Sequence, residues 1–181
     1  MEGNESAGKA PSKKKSAGPS MRKWLKFLHI VFTMSWFGAS LSLVALNFFI
    51  PQPDSGSALV LLNIISYRVS TIIVATASVL SLITGLLLCW KSNWGFFRYW
   101  WVMVKLFVTI VIIVFCIIVT GPAVEKLIEL SRTFGMEALH NESYLDKKML
   151  GDIVQPVISA LLVFLAYLSI FKPWGKRKPA Q

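Results

Sequence analysis

Four long apolar stretches, separated by more polar segments, dominate the hydropathy pattern of the chain. They cover residues 24–50, 69–90, 100–120 and 153–171. An α-helix needs about 20 residues to cross about 30 Å of hydrocarbon, and each stretch is close to that length or longer. Because backbone groups in lipid must be hydrogen-bonded internally, helices are expected rather than strands of an open sheet. The pattern predicts an all-α integral membrane protein with four spans.

The first stretch follows basic residues, as the apolar core of a signal peptide also does. Its apolar length exceeds the roughly 7–15 residues of such a core, and no small-residue cleavage site follows it. We therefore interpret residues 24–50 as a retained span.

Polar and small residues recur along one face of each stretch at the period of an α-helix. In chain order the four sets are His29, Thr33, Trp36, Ser40 and Asn47; Ser70, Ala77, Ser78, Ser81, Thr84 and Gly85; Trp101, Lys105, Thr109, Cys116 and Thr120; and Gln155, Ser159, Ala166 and Ser169. Polar groups within a membrane face protein rather than lipid, and small residues let helices approach closely. The spacing predicts a four-helix bundle whose polar faces point inward.

Charge is distributed unevenly between the two sides of the four stretches. Most of the 19 lysine and arginine residues lie before the first stretch, between the second and third, or after the fourth. By the positive-inside rule, both termini are expected in the cytoplasm, with the chain in the cell (cytoplasmic) membrane as a multi-pass protein. Six of the seven tryptophans lie at the same boundary, where they would form an interfacial belt: Trp24, Trp90, Trp94, Trp100, Trp101 and Trp174.

Composition excludes several classes of protein. The chain is 55% hydrophobic and only 15% charged, whereas a soluble domain has about 25% charged residues. Two cysteines cannot build a disulfide scaffold. The net charge of +10 does not indicate nucleic-acid binding, because no folded basic face presents it. We expect a disordered basic tail over residues 1–20, a membrane domain over 21–172, and a basic C-terminal tail over 173–181; Met21 is an alternative start.

The two links on the acidic side carry further structure. Pro51 and Pro53 end the first span. Residues 58–65 are apolar again, and either extend the second span outward or form a short interfacial helix. The segment 125–152 mixes charged and apolar residues and is expected to carry a surface helix near residues 123–132.

Helix packing alone does not explain the ionisable side chains of His29 and Lys105. Both lie on polar faces, at a similar depth from the basic side of the membrane. An ionisable group facing the interior of a bundle indicates a functional site. The alternatives are that Lys105 extends to the headgroups and that His29 is a neutral imidazole bonded to a hydroxyl or carbonyl. The functional hypothesis is a pocket near the inner face that binds a haem-like or anionic ligand, with Lys105 countering a carboxylate and His29 acting as a ligand or hydrogen-bond partner.

The sequence gives little support for a metal site, a proton-coupled transporter or an enzyme. His140 lies outside the four stretches, so it cannot pair with His29 on a haem, and no motif for copper or zinc occurs. We therefore predict no metal beyond a haem iron at His29, and the cofactor is otherwise open. No acidic residue lies within a span, which disfavours a proton-coupled transporter. No catalytic triad or phosphate-binding loop occurs, so a non-enzymatic protein is favoured.

The strings KWLKFLHIVFTMSWFGASL and WGFFRYWWVMVKLFVTIV carry a family resemblance. They resemble a family of small bacterial four-span integral membrane proteins of uncharacterised function. That family is similar in turn to copper-resistance protein D and to the membrane-bound haem-containing protoporphyrinogen oxidase. The resemblance covers most of residues 21–172 and implies that His29 and Lys105 are associated with haem or porphyrin.

Two other functions remain open at this point. The chain is alternatively a non-enzymatic accessory subunit that pairs through small-residue helix faces with a second copy or with another membrane protein. A small transporter is the third interpretation. In all three the bilayer is a partner and nucleic acid is not.

Overall fold

Six α-helices form most of the computed structural model, which describes residues 19–51, 53–91 and 99–173. They are α1 (Pro19–Phe48), α2 (Gly56–Arg68), α3 (Ala75–Lys91), α4 (Trp100–Phe115), α5 (Gly121–Phe134) and α6 (Glu142–Phe171). Two π-helical segments, Val69–Val74 and Cys116–Thr120, join α2 to α3 and α4 to α5, and a 3₁₀-helix, Gly135–His140, follows α5. These three ranges contain no β-strand, so the all-α prediction is confirmed.

The helices join into four continuous runs, each long and apolar enough to cross a membrane: Ser20–Phe48, Gly56–Lys91, Trp100–His140 and Glu142–Phe171. The second and third contain 36 and 41 residues. At 1.5 Å per residue, an α-helix of 36 residues would be about 54 Å long, well beyond the roughly 30 Å of a hydrocarbon core.

The helices therefore continue past the apolar stretches from which they were predicted. Residues 58–65, for which two placements were open, belong to α2 and extend the second run. The helix expected near 123–132 is α5, and it continues α4 rather than standing apart. Hydropathy marks only the apolar part of a helix, whereas backbone hydrogen bonding continues into amphipathic sequence. The first helix ends earlier than the apolar stretch, at Phe48.

Most of the two predicted tails lies outside the described residues. Of residues 1–20, only Pro19 and Ser20 are described, and both belong to the first turn of α1 rather than to a tail. Of residues 173–181, only Pro173 is described. In the predicted tryptophan belt, Trp94 and Trp174 lie outside, while Trp24, Trp90 and Trp100 are exposed. Trp101 is buried, because it packs within the bundle.

The four runs share one core, to which each of them contributes. Trp36 of α1, Ala77 of α3, Ile112 of α4 and Leu162 of α6 belong to the same buried cluster. Helix α1 contacts α3 and α6, and α4 contacts the same two helices. The runs are thus arranged around the core in the order α1, α3, α4, α6.

The predicted inward face is observed on α3 and only partly on α6. On α3, four of the expected residues are buried (Ala77, Ser78, Ser81 and Thr84), while Val79 and Ile83 on the opposite side are exposed, as are Ile72 and Ile73 in the preceding π-helical segment. On α6, Ala166 is exposed, although its spacing placed it inside. Burial on α6 instead follows Ile158, Leu162, Leu165 and Leu168, because large side chains bury more apolar area than alanine does.

A second, smaller core lies beyond one end of the bundle. It contains Leu59, Leu130, Ala138 and Tyr144, where α2 packs against α5. We call α2, α5, the 3₁₀-helix and the first three turns of α6 the lobe. The end of the bundle beside it is the lobe end, and the opposite end, where α1 begins and α6 ends, is the terminal end. The sequence predicted helices here but not their packing.

Candidate functional site

His29 lies on α1 at the terminal end, half-buried against the last turns of α3. Its Nδ1 is 3.0 Å from the carbonyl oxygen of Ser81 and 3.1 Å from Oγ1 of Thr84. A carbonyl can only accept, and the Thr84 hydroxyl already donates to the carbonyl of Leu80 at 2.7 Å. We therefore assign the proton to Nδ1, which donates to both oxygens. In the neutral imidazole this leaves Nε2 with a free lone pair, and no described residue bonds to it.

The backbone around His29 is fixed by a second chain of hydrogen bonds between α1 and α3. The hydroxyl of Thr33 donates to the carbonyl of His29 at 2.7 Å. Since that hydroxyl proton is committed, Ser81 Oγ donates to Thr33 Oγ1 across 2.9 Å. Opposite the ring is Gly85, where a Cβ atom would lie 3.2 Å from Cε1 of His29. Small residues on α3 thus give the imidazole both its space and its hydrogen-bond partners.

Lys105 lies on α4, also half-buried at the terminal end. Its Nζ donates to Oγ of Ser169 on α6 at 2.7 Å, and that hydroxyl donates to the carbonyl of Leu165 at 2.9 Å. One of the three ammonium N–H groups is satisfied by this serine, and the others have no partner among the described residues.

The structure brings His29 and Lys105 to the same end of the bundle without joining them. His29 is held by α3, whereas Lys105 is held by α6, and no hydrogen bond links the two side chains. One alternative expected for His29 was an imidazole bonded to a hydroxyl or a carbonyl. Its Nδ1 makes such bonds, to the Ser81 carbonyl and the Thr84 hydroxyl. Its Nε2 is left available for a further interaction.

A cavity of about 80 Å³ lies at the lobe end, far along α1 from His29. Residues of α1, α2, α5 and α6 line it, including Asn47, Asn63, Lys147 and Gln155. Helical spacing placed Asn47 and Gln155 on inward faces. This placement was the available sequence signal for polar residues at the cavity. Sequence reasoning missed the cavity itself, because the packing of the lobe that encloses it was not predicted.

Asn63 on α2 is the polar centre of the lobe. Its Nδ2 is 3.2 Å from Ser131 Oγ on α5, 3.2 Å from the Tyr144 hydroxyl on α6, and 3.5 Å from the carbonyl of Leu127. Asparagine was not singled out by the sequence pattern, because a single amide inside an apolar run carries no periodic signal.

Two polar atoms in the middle of the bundle have no hydrogen-bond partner among the described residues. They are Nε1 of Trp36 and Oγ of Ser40, one helical turn apart on α1. Both side chains are almost completely buried, with 2% and 1% exposure. Buried polar groups without a partner are uncommon and energetically costly.

The described residues contain no group of three or more His, Cys, Asp or Glu side chains positioned to hold a metal ion. A scan against protein-family models, a search of curated proteins and a search of solved structures each found no match. The functional argument therefore rests on the geometry of this chain alone.

Proposed function

We propose that this chain is a multi-pass protein of the cytoplasmic membrane, with both termini on the cytoplasmic side. The charge distribution supports this. All seven acidic residues in the described ranges lie in the lobe or in the link before α2. The terminal end instead carries basic residues: Arg22, Lys23, Lys26, Lys91, Lys105 and Lys172. Cytoplasmic segments near membrane spans carry such an excess of Lys and Arg.

Reporter fusions test this orientation. We expect a reporter that is active only outside the cytoplasm to be inactive after Gln181 and active when inserted at Asn141, in the link between the 3₁₀-helix and α6. An active C-terminal fusion would place the terminal end outside and overturn the proposal. A cytoplasm-active reporter at the same two positions should give the reverse pattern.

At the terminal end we propose a site for a haem-like, anionic ligand. The observation that carries it is the orientation of His29, whose Nδ1–H is bound to the carbonyl of Ser81, leaving the Nε2 lone pair free. Metal-binding histidines are usually oriented in this way by a second hydrogen bond. The proposal includes no catalytic step.

His29 and Lys105 are the residues that would hold a haem, His29 through its Nε2 and Lys105 through its positive charge. A haem supplies four nitrogen ligands of its own and needs one histidine from the protein, so the lack of a larger ligand cluster is compatible with it. Lys105 places a positive charge at the same end, where it would pair with a carboxylate of the ligand. When bound, the haem iron would supply electron transfer or the binding of a small gas molecule.

The surrounding residues would position His29 and Lys105 for the ligand and would take no part in a reaction. Ser81 and Thr84 hold the imidazole ring and its tautomer. Gly85 gives the ring room. Ser169 positions the ammonium of Lys105.

A visible absorption spectrum tests the haem site directly. The protein, purified in mild detergent and supplemented with haem, should give a shifted Soret band that titrates to one haem per chain. His29→Ala should lose the shift, whereas His140→Ala, which removes the other histidine, should retain it. Lys105→Met should weaken haem binding without abolishing it. An unshifted band, or a His29→Ala protein that binds like the wild type, would reject the site.

A second candidate function is that of an accessory subunit. On α3, the small residues Ala77, Ser78 and Ser81 are buried inside the bundle, whereas α1 exposes Ser35, Gly38, Ser42 and Ala45. A Cβ atom on Gly38 would meet nothing within 4 Å, and a pair of small residues four apart, as Gly38 and Ser42 are, allows close helix contact in membranes. Cross-linking in membranes separates the two functions: a partner should persist in His29→Ala and be lost in Gly38→Leu.

A further inference from the structure

We propose that the cavity at the lobe end binds a short-chain carboxylate. This site is distinct from the one at His29 and does not depend on it. The cavity is enclosed by the end of α1, by α2, by α5 and by α6, so its shape is determined by the packing of the lobe on the bundle. It is partly open, which gives a ligand a route of entry.

The size of the cavity limits the ligand. Its volume is about 80 Å³, whereas a cavity of about 150 Å³ holds benzene and one water takes about 30 Å³. The enclosed part therefore holds about three non-hydrogen atoms, and the open mouth holds the remainder. Acetate is close to this size, propionate and butyrate extend into the opening, and a long acyl chain exceeds the cavity by much more.

Three polar side chains that line the cavity have no hydrogen-bond or ion-pair partner among the described residues. They are the amides of Asn47 and Gln155 and the ammonium of Lys147. The amides supply N–H donors and the ammonium supplies a charge, so together they suit a group with two acceptor oxygens. No described residue competes for them.

The net charge of the lining favours an anion over a cation. Asp152 is the acidic residue of the lining, and it is held by Lys148 at 3.0 Å. Within the lining, this pairing leaves Lys147 without an acidic partner. A cationic ligand would meet an unpaired ammonium, whereas a carboxylate would pair with it.

The remaining walls are apolar and indicate what the carboxylate is attached to. Leu43, Leu46, Leu59 and Leu127 face the cavity, and they offer contact for an alkyl group. Phosphate or sulfate would place oxygens against these leucines without a donor, which is unfavourable. A carboxylate with a short alkyl tail satisfies both the polar and the apolar parts of the lining.

Isothermal titration of the full chain in nanodiscs tests the proposal, with butyrate as the probe and butyramide as its neutral isostere. We expect saturable binding of butyrate, and binding of butyramide at least tenfold weaker. Lys147→Gln should weaken butyrate binding at least tenfold. The matched control, Lys126→Gln, removes an exposed lysine that pairs with Glu129 away from the cavity, and it should bind like the wild type.

A blocking variant tests the location. Gly151 lines the cavity, and a Cβ atom there would meet nothing within 4 Å, so Gly151→Leu should fill the space with the helix intact and abolish binding. Gly38→Leu, at an equally open glycine outside the cavity, should bind normally. Circular dichroism verifies the fold of each variant. Equal affinity for butyramide, unchanged binding by Gly151→Leu, tighter binding of octanoate than of butyrate, or no saturation at tens of millimolar would each overturn the proposal.

Discussion

The imidazole of His29 lies against Gly85, in close contact with the position that a Cβ atom of residue 85 would take. A Cβ atom on Gly85 would be 3.2 Å from Cε1 and 3.6 Å from Nδ1 of the ring. The first distance is tighter than an ordinary van der Waals contact. The position of His29, and with it the direction of its Nε2 lone pair, therefore depends on the absence of a side chain on α3.

Substitutions of Gly85 should distinguish two effects: displacement of the His29 ring and a change in helix stability. Gly85→Ala gains about 1 kcal/mol of helix propensity but moves the ring by a few tenths of an ångström, so we expect a small net change in the free energy of unfolding and weaker haem binding. Gly85→Val adds bulk that the ring cannot avoid, and should destabilise by about 1–3 kcal/mol. Unfolding in SDS, followed by circular dichroism, measures the first effect, and the Soret titration measures the second.

Gly38 provides the control for these two variants, because nothing lies within 4 Å of a Cβ atom there. Gly38→Ala and Gly38→Val should retain full haem binding and at least wild-type stability in the monomeric protein. A Gly85→Val variant as stable as Gly38→Val would contradict the close contact between residue 85 and the ring of His29.

Two buried serines should respond oppositely to the same substitution. Ser81 Oγ donates to Thr33 across 2.9 Å, whereas Ser40 Oγ has no partner among the described residues. Ser81→Ala removes the donor of a partly buried hydrogen bond and should cost about 1 kcal/mol, while Ser40→Ala loses no bond to a described residue and should be neutral or stabilising.

The same SDS unfolding experiment compares these serine variants. A double-mutant cycle with Thr33→Val should assign a coupling energy of about 1 kcal/mol to the Ser81–Thr33 pair and none to Ser40 with Thr33. A Ser40→Ala variant that loses as much stability as Ser81→Ala would show that its hydroxyl has a binding partner of its own.

The bundle was predictable where burial follows residue type. Small and hydroxyl residues on one side of α3, with Val79 and Ile83 on the other, indicated the buried face correctly. The same reasoning failed for Ala166, because α6 buries its large residues and alanine carries too little area to determine the face. Periodicity thus works best where the two sides of a helix differ strongly in size and polarity.

The partners of the candidate sites were less predictable than the residues themselves. His29 could be placed inward from its spacing, but the carbonyl of Ser81 that holds it is backbone and leaves no mark in the sequence. The lobe depends on contacts between segments more than 50 residues apart, such as Asn63 with Ser131. Such contacts arise from tertiary packing, which single-chain patterns of hydropathy do not encode.

Asn63 should be the most sensitive position in the lobe. Its buried amide donates to Ser131 Oγ and the Tyr144 hydroxyl, with the carbonyl of Leu127 nearby. Asn63→Leu leaves these acceptors without their donor and should destabilise the lobe by about 2–3 kcal/mol. Ser131→Ala and Tyr144→Phe each remove one acceptor and should cost about 1 kcal/mol.

Amide hydrogen exchange, measured by mass spectrometry, distinguishes the lobe from the bundle. Peptides from α2 and α5 should lose protection in Asn63→Leu, while peptides from α3 should not. A smaller effect from Asn63→Leu than from Ser131→Ala would contradict the central role of the amide.

The lobe also depends on a close approach between two glycines. Gly135 ends α5 with φ 56° and ψ −129°, a conformation that a side chain strains. A Cβ atom on Gly56, at the start of α2, would lie 3.0 Å from Cα of Gly135. Because the obstacle is backbone, it cannot rotate away as a side chain can.

Alanine at either glycine should therefore loosen the lobe and leave the four-helix core intact. We expect about 1–3 kcal/mol for Gly135→Ala, from backbone strain, and a similar loss for Gly56→Ala, from overpacking. Hydrogen exchange should increase in α2 and α5 in both variants. Gly151→Ala, at a helical glycine with open space around it, should leave exchange unchanged or slower. Since both substitutions disturb one contact, the double variant should cost less than the sum of the two, and strict additivity would show that the glycines act independently.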